Sequence, residues 1–240
     1  MKSISAKYWW SDERHCPGRH VVVRLESIEP MTRWGVLADI HGNLAALERA
    51  LAGLRERGVD RIAVLGDSLG RGDSDGCVEL IRCVADVSVV GNRDLDWADR
   101  VGPSAREYVL ALPRLSRVDG LAFSHGAVRL TREQSSDEIR SGFRRARAWL
   151  ASIGCRAWLF GHTHRARIWA LDGAYEAPRL LFDAATERLP ALTRFGSPVE
   201  AGDKIRIINV GSVGLPFPGK GPASAAVFDT VADVVDVFPV

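Results

Sequence analysis

Five short apolar runs each stop at a residue able to bind a hard or borderline metal ion. Val36-Leu37-Ala38 leads into Asp39 and His41, Ala63-Val64-Leu65-Gly66 into Asp67, and Val89-Val90-Gly91 into Asn92. Leu121-Ala122-Phe123-Ser124 ends at His125, and Trp158-Leu159-Phe160-Gly161 at His162 and His164. Taken singly, each pairing is weak, because an aspartate after a strand commonly caps the next helix, the bland reading of Asp67 and Asp94. Taken together they are not, since four of the chain's six histidines fall in these positions. The other two, His15 and His20, flank Cys16 near the N-terminus. Gly42, Gly66, Gly91, Gly126 and Gly161 accompany the polar residues, which fits sharp turns and close backbone approach.

The elements that must position these residues alternate. Strands are expected over 34–38, 61–65, 87–90, 121–124 and 156–160. Leu44, Leu47, Leu51 and Leu54 recur at helical spacing up to Gly58, a helix stop. Further helices are expected near 76–85, 95–112 and 132–152, the last ended by Gly154. Beyond residue 160 strands and turns dominate, with strands at 166–171, 179–182, 204–208, 224–228 and 231–238. An α/β first half and a β-rich second half suggest two packed sheets with helices outside. Open α/β sheets gather their sites at the carboxyl ends of strands, so the five strand ends converge on one crevice.

The 240 residues, 26.2 kDa, supply ample material for one core and need no disulfide stapling. A net charge of +2 argues against dedicated nucleic-acid binding, and the 28 Arg against 4 Lys carry no functional weight. Cys16, Cys77, Cys83 and Cys155 form no CxxC pair, which fits reduced thiols in a cytoplasm. No uninterrupted apolar stretch reaches membrane-spanning length, and the N-terminus lacks the apolar run of a signal peptide. Residues 1–33 read as an extension to a domain over 34–240, with a strand-like run at 21–25. Met31 is the only methionine after Met1 and stands just before the first strong strand, so it is a possible physiological start.

Six blocks resemble, in order, the signatures of the calcineurin-like metallophosphoesterases, most closely the compact bacterial and archaeal phosphodiesterase-like branch. They are Asp39-Ile40-His41-Gly42-Asn43, Gly66-Asp67-Ser68-Leu69-Gly70-Arg71-Gly72, Gly91-Asn92-Arg93-Asp94, Ser124-His125-Gly126, Gly161-His162-Thr163-His164 and Asn209-Val210-Gly211-Ser212-Val213-Gly214. The resemblance implies an α/β fold, a four-layer αββα sandwich of two mixed β-sheets flanked by helices. It also implies two divalent ions. One would be held by Asp39, His41, Asp67 and His164, the other by Asp67, Asn92, His125 and His162, with the Asp67 carboxylate shared. That ligand mixture suits Mn²⁺, Fe, Zn²⁺ or Ni²⁺ better than Ca²⁺, and the absence of thiolates excludes the usual closed structural zinc site.

The expected activity is hydrolysis of phosphodiesters or phosphomonoesters of small molecules or nucleotides. Two ions about 4 Å apart can clamp a phosphoryl group and activate a bridging hydroxide. A non-catalytic scaffold on the same fold, as in the retromer coat, would have no need for the full ligand set. A protein Ser/Thr phosphatase would share the metal blocks, but nothing supports that branch's extended substrate grooves. Two departures stand out. Arg93 occupies the place where many relatives carry a histidine associated with leaving-group protonation; an arginine can hold a phosphate oxygen but cannot act as a general acid near neutral pH. Arg93 and Asp94 are the candidate catalytic side chains beside the metals; the bland reading pairs them with each other at the surface. Val210 replaces the proline of the familiar Asn-Pro-Gly-Ser block. Arg71 and the arginine-rich stretch 129–147 are weaker candidates for substrate contact, and 172–203 is either a flap beside the crevice or a two-strand excursion.

Overall fold

The computed structural model describes residues 7–8, 21–22, 33–126, 136–172, 179–189, 191–194 and 204–240. Lys7–Tyr8 (β1) and Val21–Val22 (β2) pair antiparallel as a two-stranded ribbon separate from the larger sheets; the rest of the expected 21–25 strand lies outside the described residues.

From Arg33 the chain alternates: Arg33–Leu37 (β3), Leu44–Glu56 (α1), Arg61–Val64 (β4), Ser74–Val84 (α2), Val87–Ser88 (β5). Asn92–Trp97 (α3) and Pro103–Ala111 (α4) follow. The single helical region expected over 95–112 is therefore divided: α3 ends at Trp97 and passes into a 3-10 turn over Ala98–Arg100, and Pro103 opens α4 from its first turn. Leu115–Val118 (β6), Leu121–Ser124 (β7), Ser136–Ser152 (α5) and Ala157–Phe160 (β8) come next. The remaining strands are Arg167–Asp172 (β9), Arg179–Asp183 (β10), Ala191–Arg194 (β11), Lys204–Asn209 (β12), Ser224–Asp229 (β13) and Val234–Pro239 (β14).

Two mixed six-stranded sheets result, ordered β11-β14-β13-β3-β4-β5 and β10-β9-β12-β8-β7-β6. In the first, β3, β4 and β5 run parallel; in the second, β7, β8 and β12 do. Strand alternation builds the layers. Trp34, Val36 and Ala38 point inward to meet Phe123, Leu159, Ile168 and Ile208 of the other sheet, and the Trp34 and Phe123 rings lie 5.0 Å apart. Leu37 and Val64 point outward onto α1 and α2 through Leu47, Leu54 and Ile81. On the far side Ala122, Trp158 and Phe160 receive Phe143, Ala146 and Leu150 of α5. Each such buried large side chain contributes about 1.5–3 kcal/mol relative to exposure. The layers are thus helix, sheet, sheet, helix, the four-layer αββα sandwich.

The stretch 172–203 contributes β10 to the edge of one sheet and β11 to the edge of the other, a two-strand excursion between sheets; residues 173–178, 190 and 195–203 lie outside the description. Cys77 and Cys155 are free, as expected, and both are buried, whereas Cys83, exposed on the last turn of α2, is disulfide-bonded rather than reduced. Among the described residues no helix is long and apolar enough to cross a membrane.

Candidate metal centre

The helix caps explain why Asp39 and Asp67 are available for chemistry. Helix α1 is capped by Asn43, whose Oδ1 accepts from the Ala46 N–H at 3.1 Å, and α2 by Asp73, which accepts from the Gly76 N–H at 2.8 Å. Capping therefore falls to residues further along each loop. Asp39 and Asp67 instead sit on the strand ends, 0% and 2% exposed.

The backbone there is bent into an unusual conformation. Asp39, His41, Asp67, His162 and His164 all have positive φ, between 53° and 68°, and they are five of only seven such non-glycine residues among those described. Residues held in the left-handed region carry a conformational cost and concentrate at functional sites. Two glycines make the bends possible. A Cβ on Gly91 would lie 2.1 Å from Asp67 Oδ1, and one on Gly161 2.4 Å from Asp39 Oδ2. Any larger residue would displace a carboxylate.

All seven predicted ligand residues come together, in two groups. In the first, Asp39 Oδ1 lies 3.1 Å from His164 Nε2 and 3.8 Å from His41 Nε2, with the two imidazole nitrogens 3.3 Å apart. In the second, Asn92 Oδ1 lies 3.1 Å from His125 Nε2 and 3.0 Å from His162 Nδ1, and those nitrogens are 3.2 Å apart. Asp67 Oδ2 joins the groups, 3.3 Å from His125 Nε2 and 3.9 Å from His41 Nε2. Among the described residues, Asp39-His41-His164 and Asp39-Asp67-His125 are the clusters with metal-ligand spacing.

Hydrogen bonds behind these atoms fix which way each ligand faces. His125 Nδ1 donates to Leu65 O at 2.8 Å, and His164 Nδ1 donates to Leu215 O. Each bond places the ring proton on Nδ1 and turns the Nε2 lone pair into the site. Asp39 Oδ2 accepts from His162 N at 2.8 Å and Asp67 Oδ1 from Arg93 N at 2.7 Å, leaving one oxygen of each carboxylate pointing inward. Asp39 Oδ1 is buried without a hydrogen-bond partner. Inward-facing lone pairs on several atoms, one of them orphaned, fit a cation. Two donors at about 2.0–2.1 Å from one ion stand roughly 3.0–3.4 Å apart, close to most separations here.

The titration behaviour has the same sense. Burial pushes His125 down, but Asp67 and Asp39 outweigh it and lift the imidazole to about 9. His164 is likewise raised, chiefly by Asp39 against the effect of burial. Burial pushes Asp39 up, yet its contacts with His164 and His41 hold it well below the usual carboxylate range. His162 is lowered, by burial and then by the neighbouring His125.

Arg93 and Asp94 divide differently from the expectation. Asp94 is fully buried and its carboxylate accepts three backbone N–H groups, from Asp67 at 2.9 Å, Leu69 at 2.9 Å and Gly91 at 2.8 Å. The Gly91 bond caps α3, so the bland capping reading holds for Asp94, extended to the Asp67 loop. Burial raises its pKa against the pull of these donors. The Arg93 side chain is 55% exposed, 3.7 Å from Asp96 rather than paired with Asp94. Arg71 is exposed, as are Arg144 and Arg145 on α5, while Arg147 donates to Leu171 O.

Several residues that shape the site carry no metal-binding signal in sequence. Asn209 donates to Gly161 O at 2.8 Å and Thr163 Oγ1 at 2.9 Å, bracing the His162-Thr163-His164 loop. Ser212 Oγ donates to Asp39 O. Val210 N–H donates to Phe160 O at 3.0 Å, a bond that proline could not make, which explains how valine serves there.

Comparison with known proteins agrees with this geometry. A family model for the calcineurin-like phosphoesterase superfamily domain matches residues 32–233. An uncharacterized protein of Methanocaldococcus jannaschii is 28% identical over 218 residues, 81% of each chain. A crystal structure of a metallophosphoesterase from Sphaerobacter thermophilus superposes with a TM-score of 0.65 at 26% identity, covering 87% of this chain and 88% of that one. Six sequence blocks, a four-layer sandwich and a family match over most of the chain agree: the protein belongs to the calcineurin-like phosphoesterase superfamily and is a metal-dependent phosphoesterase.

Proposed function

We propose that Asp39, His41, Asp67, Asn92, His125, His162 and His164 hold two divalent ions, of Mn, Fe, Zn or Ni type, and that the protein hydrolyses phosphodiesters or phosphomonoesters of small molecules or nucleotides. The observation that carries this reading is Asp67 Oδ2, which faces imidazole nitrogens of both groups at 3.3 and 3.9 Å while its partner oxygen is fixed by Arg93 N. When bound, such ions activate water and neutralise charge on the phosphoryl oxygens.

The chain's own residues prepare for that chemistry. Asp67 is clamped so that one oxygen serves both groups. His125 and His164 are locked in one tautomer by backbone carbonyls, and His162 N secures Asp39. Among the seven, Asn92 and His162 are exposed and border the solvent-facing side where an ester would enter. Arg93 is always charged and cannot give a proton to the leaving group. Loss of a positioned acid lowers rates on poor leaving groups by about 10²- to 10⁴-fold, so activated aryl esters should be hydrolysed faster than alkyl esters.

The test is metal analysis of the purified protein together with hydrolysis of bis(p-nitrophenyl) phosphate in added Mn²⁺, beside Asp67→Ala. Stoichiometric metal and activity lost in the variant are expected. A metal-free protein that stays inert with added ions would overturn the proposal.

A further inference from the structure

Against His164 packs the loop Gly214-Leu215-Pro216-Phe217-Pro218-Gly219-Lys220, which follows β12. Phe217 is 41% exposed and is the one exposed Phe, Tyr or Trp among the described side chains. Its ring centroid lies 4.5 Å from that of His164, at an interplanar angle of 34°. The loop is bound tightly to the site. His164 Nδ1 donates to Leu215 O, Leu215 N donates to Ser212 Oγ at 3.0 Å, and Ser212 Oγ donates to Asp39 O at 2.9 Å. Lys220 N closes the turn onto Phe217 O at 3.1 Å, and Lys220 Nζ donates to Thr163 O at 2.9 Å, between His162 and His164.

An exposed phenylalanine forgoes about 1.5–3 kcal/mol of burial. Here the exposure is built in rather than incidental. Pro216 and Pro218 flank Phe217 and fix φ on both sides, reducing the entropy lost when something settles on the ring. The hydrogen bonds through Leu215 and Ser212 tie the ring to the same residues that orient Asp39 and His164. A cation stands at the same rim: Lys220 Nζ lies 5.4 Å from the Phe217 centroid, and only one of its three donors is used by Thr163. A flat apolar surface beside an ammonium with donors to spare, both fixed next to a phosphoryl-binding centre, matches a ligand that is planar at one end and anionic at the other.

We propose that Phe217 is the platform for the base of a nucleoside phosphate, with Lys220 at its rim meeting phosphate oxygen. This rests on the phosphoesterase reading of the site and names the substrate class for it. Stacking on an aromatic side chain is tolerant of base identity, so purine and pyrimidine nucleotides should both be accepted.

The experiment is calorimetric binding of adenosine 5′-monophosphate and of inorganic phosphate to Mn²⁺-supplemented protein, for wild type, Phe217→Ala and Phe217→Trp. Far-ultraviolet circular dichroism and thermal melts check that each variant is folded. Wild type should bind the nucleotide more tightly than phosphate. Phe217→Ala should weaken nucleotide binding roughly 5- to 150-fold and leave phosphate binding unchanged, with Phe217→Trp restoring the preference. Equal affinity for the two ligands in wild type, no nucleotide binding, or equal weakening of both by Phe217→Ala would each overturn the inference. Hydrolysis of bis(p-nitrophenyl) phosphate is measured alongside. Activity without a nucleotide preference sinks this inference alone, whereas the preference without activity sinks only the phosphoesterase reading.

Discussion

Replacing Asp94 by asparagine separates a residue that holds the site together from one that takes part in the reaction. In the native protein Asp94 Oδ2 accepts from both Asp67 N and Gly91 N, and Oδ1 accepts from Leu69 N, all at 2.8–2.9 Å in a fully buried pocket. Asparagine keeps the shape but has only one acceptor oxygen. Turned toward Asp67 and Gly91, it sets its own NH₂ against the Leu69 N–H; turned the other way, it leaves two donors unmet. The smaller loss is one hydrogen bond to a charged acceptor, about 1.5–3 kcal/mol, plus a buried donor without a partner, about 1–3 kcal/mol. The expected destabilisation is therefore about 2.5–6 kcal/mol, a large part of the roughly 5–15 kcal/mol that holds a protein folded.

Urea unfolding at neutral pH measures this as a lowered midpoint at constant slope. Because the freed N–H groups belong to the Asp67 loop and to Gly91, beside Asn92, metal affinity should fall as well. Any activity that survives at saturating Mn²⁺ should keep the pH profile of wild type. Unchanged stability and metal affinity with kcat abolished would refute the argument and return Asp94 to a direct catalytic role.

Four further outcomes follow. Saturation with Mn²⁺ at one hundred times Kd should stabilise the protein by about 2.7 kcal/mol, raising the melting temperature roughly 5–11 °C at this chain length. In the ion-free protein the raised His125 contributes stability that is present below the ordinary 6.5 and lost as pH rises through about 9. Metal uptake at pH 7.5 should therefore release a proton seen by an indicator dye, and release should fade above about 9. The Cys77 thiol is pushed up to about 12, first by burial and then by Asp73 and Glu48, so it should resist thiol reagents at pH 8 until the protein unfolds. Asp183 is held below its ordinary 3.8 by Arg165 and Arg167, against the effect of burial. Its contribution is present above 3.8 and lost as pH falls further, so Asp183→Asn should destabilise at pH 6 by about 1–2 kcal/mol and by progressively less below pH 4 on denaturant titration.

The elements that the sequence made legible are those whose burial is written in periodicity. Leu47 and Leu54 recur on one face of α1 because that face meets one sheet, and the runs of β3, β4, β7 and β8 are apolar throughout because both their faces are covered. Strand β6 escaped because Leu115-Ser116-Arg117-Val118 lies at a sheet edge and needs no apolar run. A local signal was present there: Asp119-Gly120, both at positive φ, makes the two-residue turn that pairs Val118 with Leu121. Strand β11 is an edge strand as well, paired among the described residues with β14 alone.

For the site the division is sharper. Ligand residue types are visible because each is polar where an apolar strand ends, and two of their neighbours, Gly91 and Gly161, must be glycine because a Cβ there would strike a carboxylate. What the chain conceals is everything that acts through backbone. Asp94 works on three N–H groups, Asn209 on Gly161 O, Leu215 through its carbonyl, and Arg93 through its own N–H while its charged end lies out in solvent. Backbone groups are the same at every position, so no residue type announces such contacts. An aspartate two residues after Asn92 therefore looks like a catalytic acid, when its surroundings make it the support from which Asp67 and the turn at Gly91 both hang. The same reasoning applies to Phe217. In sequence it is one aromatic residue among prolines, and only the hydrogen bond from His164 to the carbonyl two residues earlier places it beside the centre.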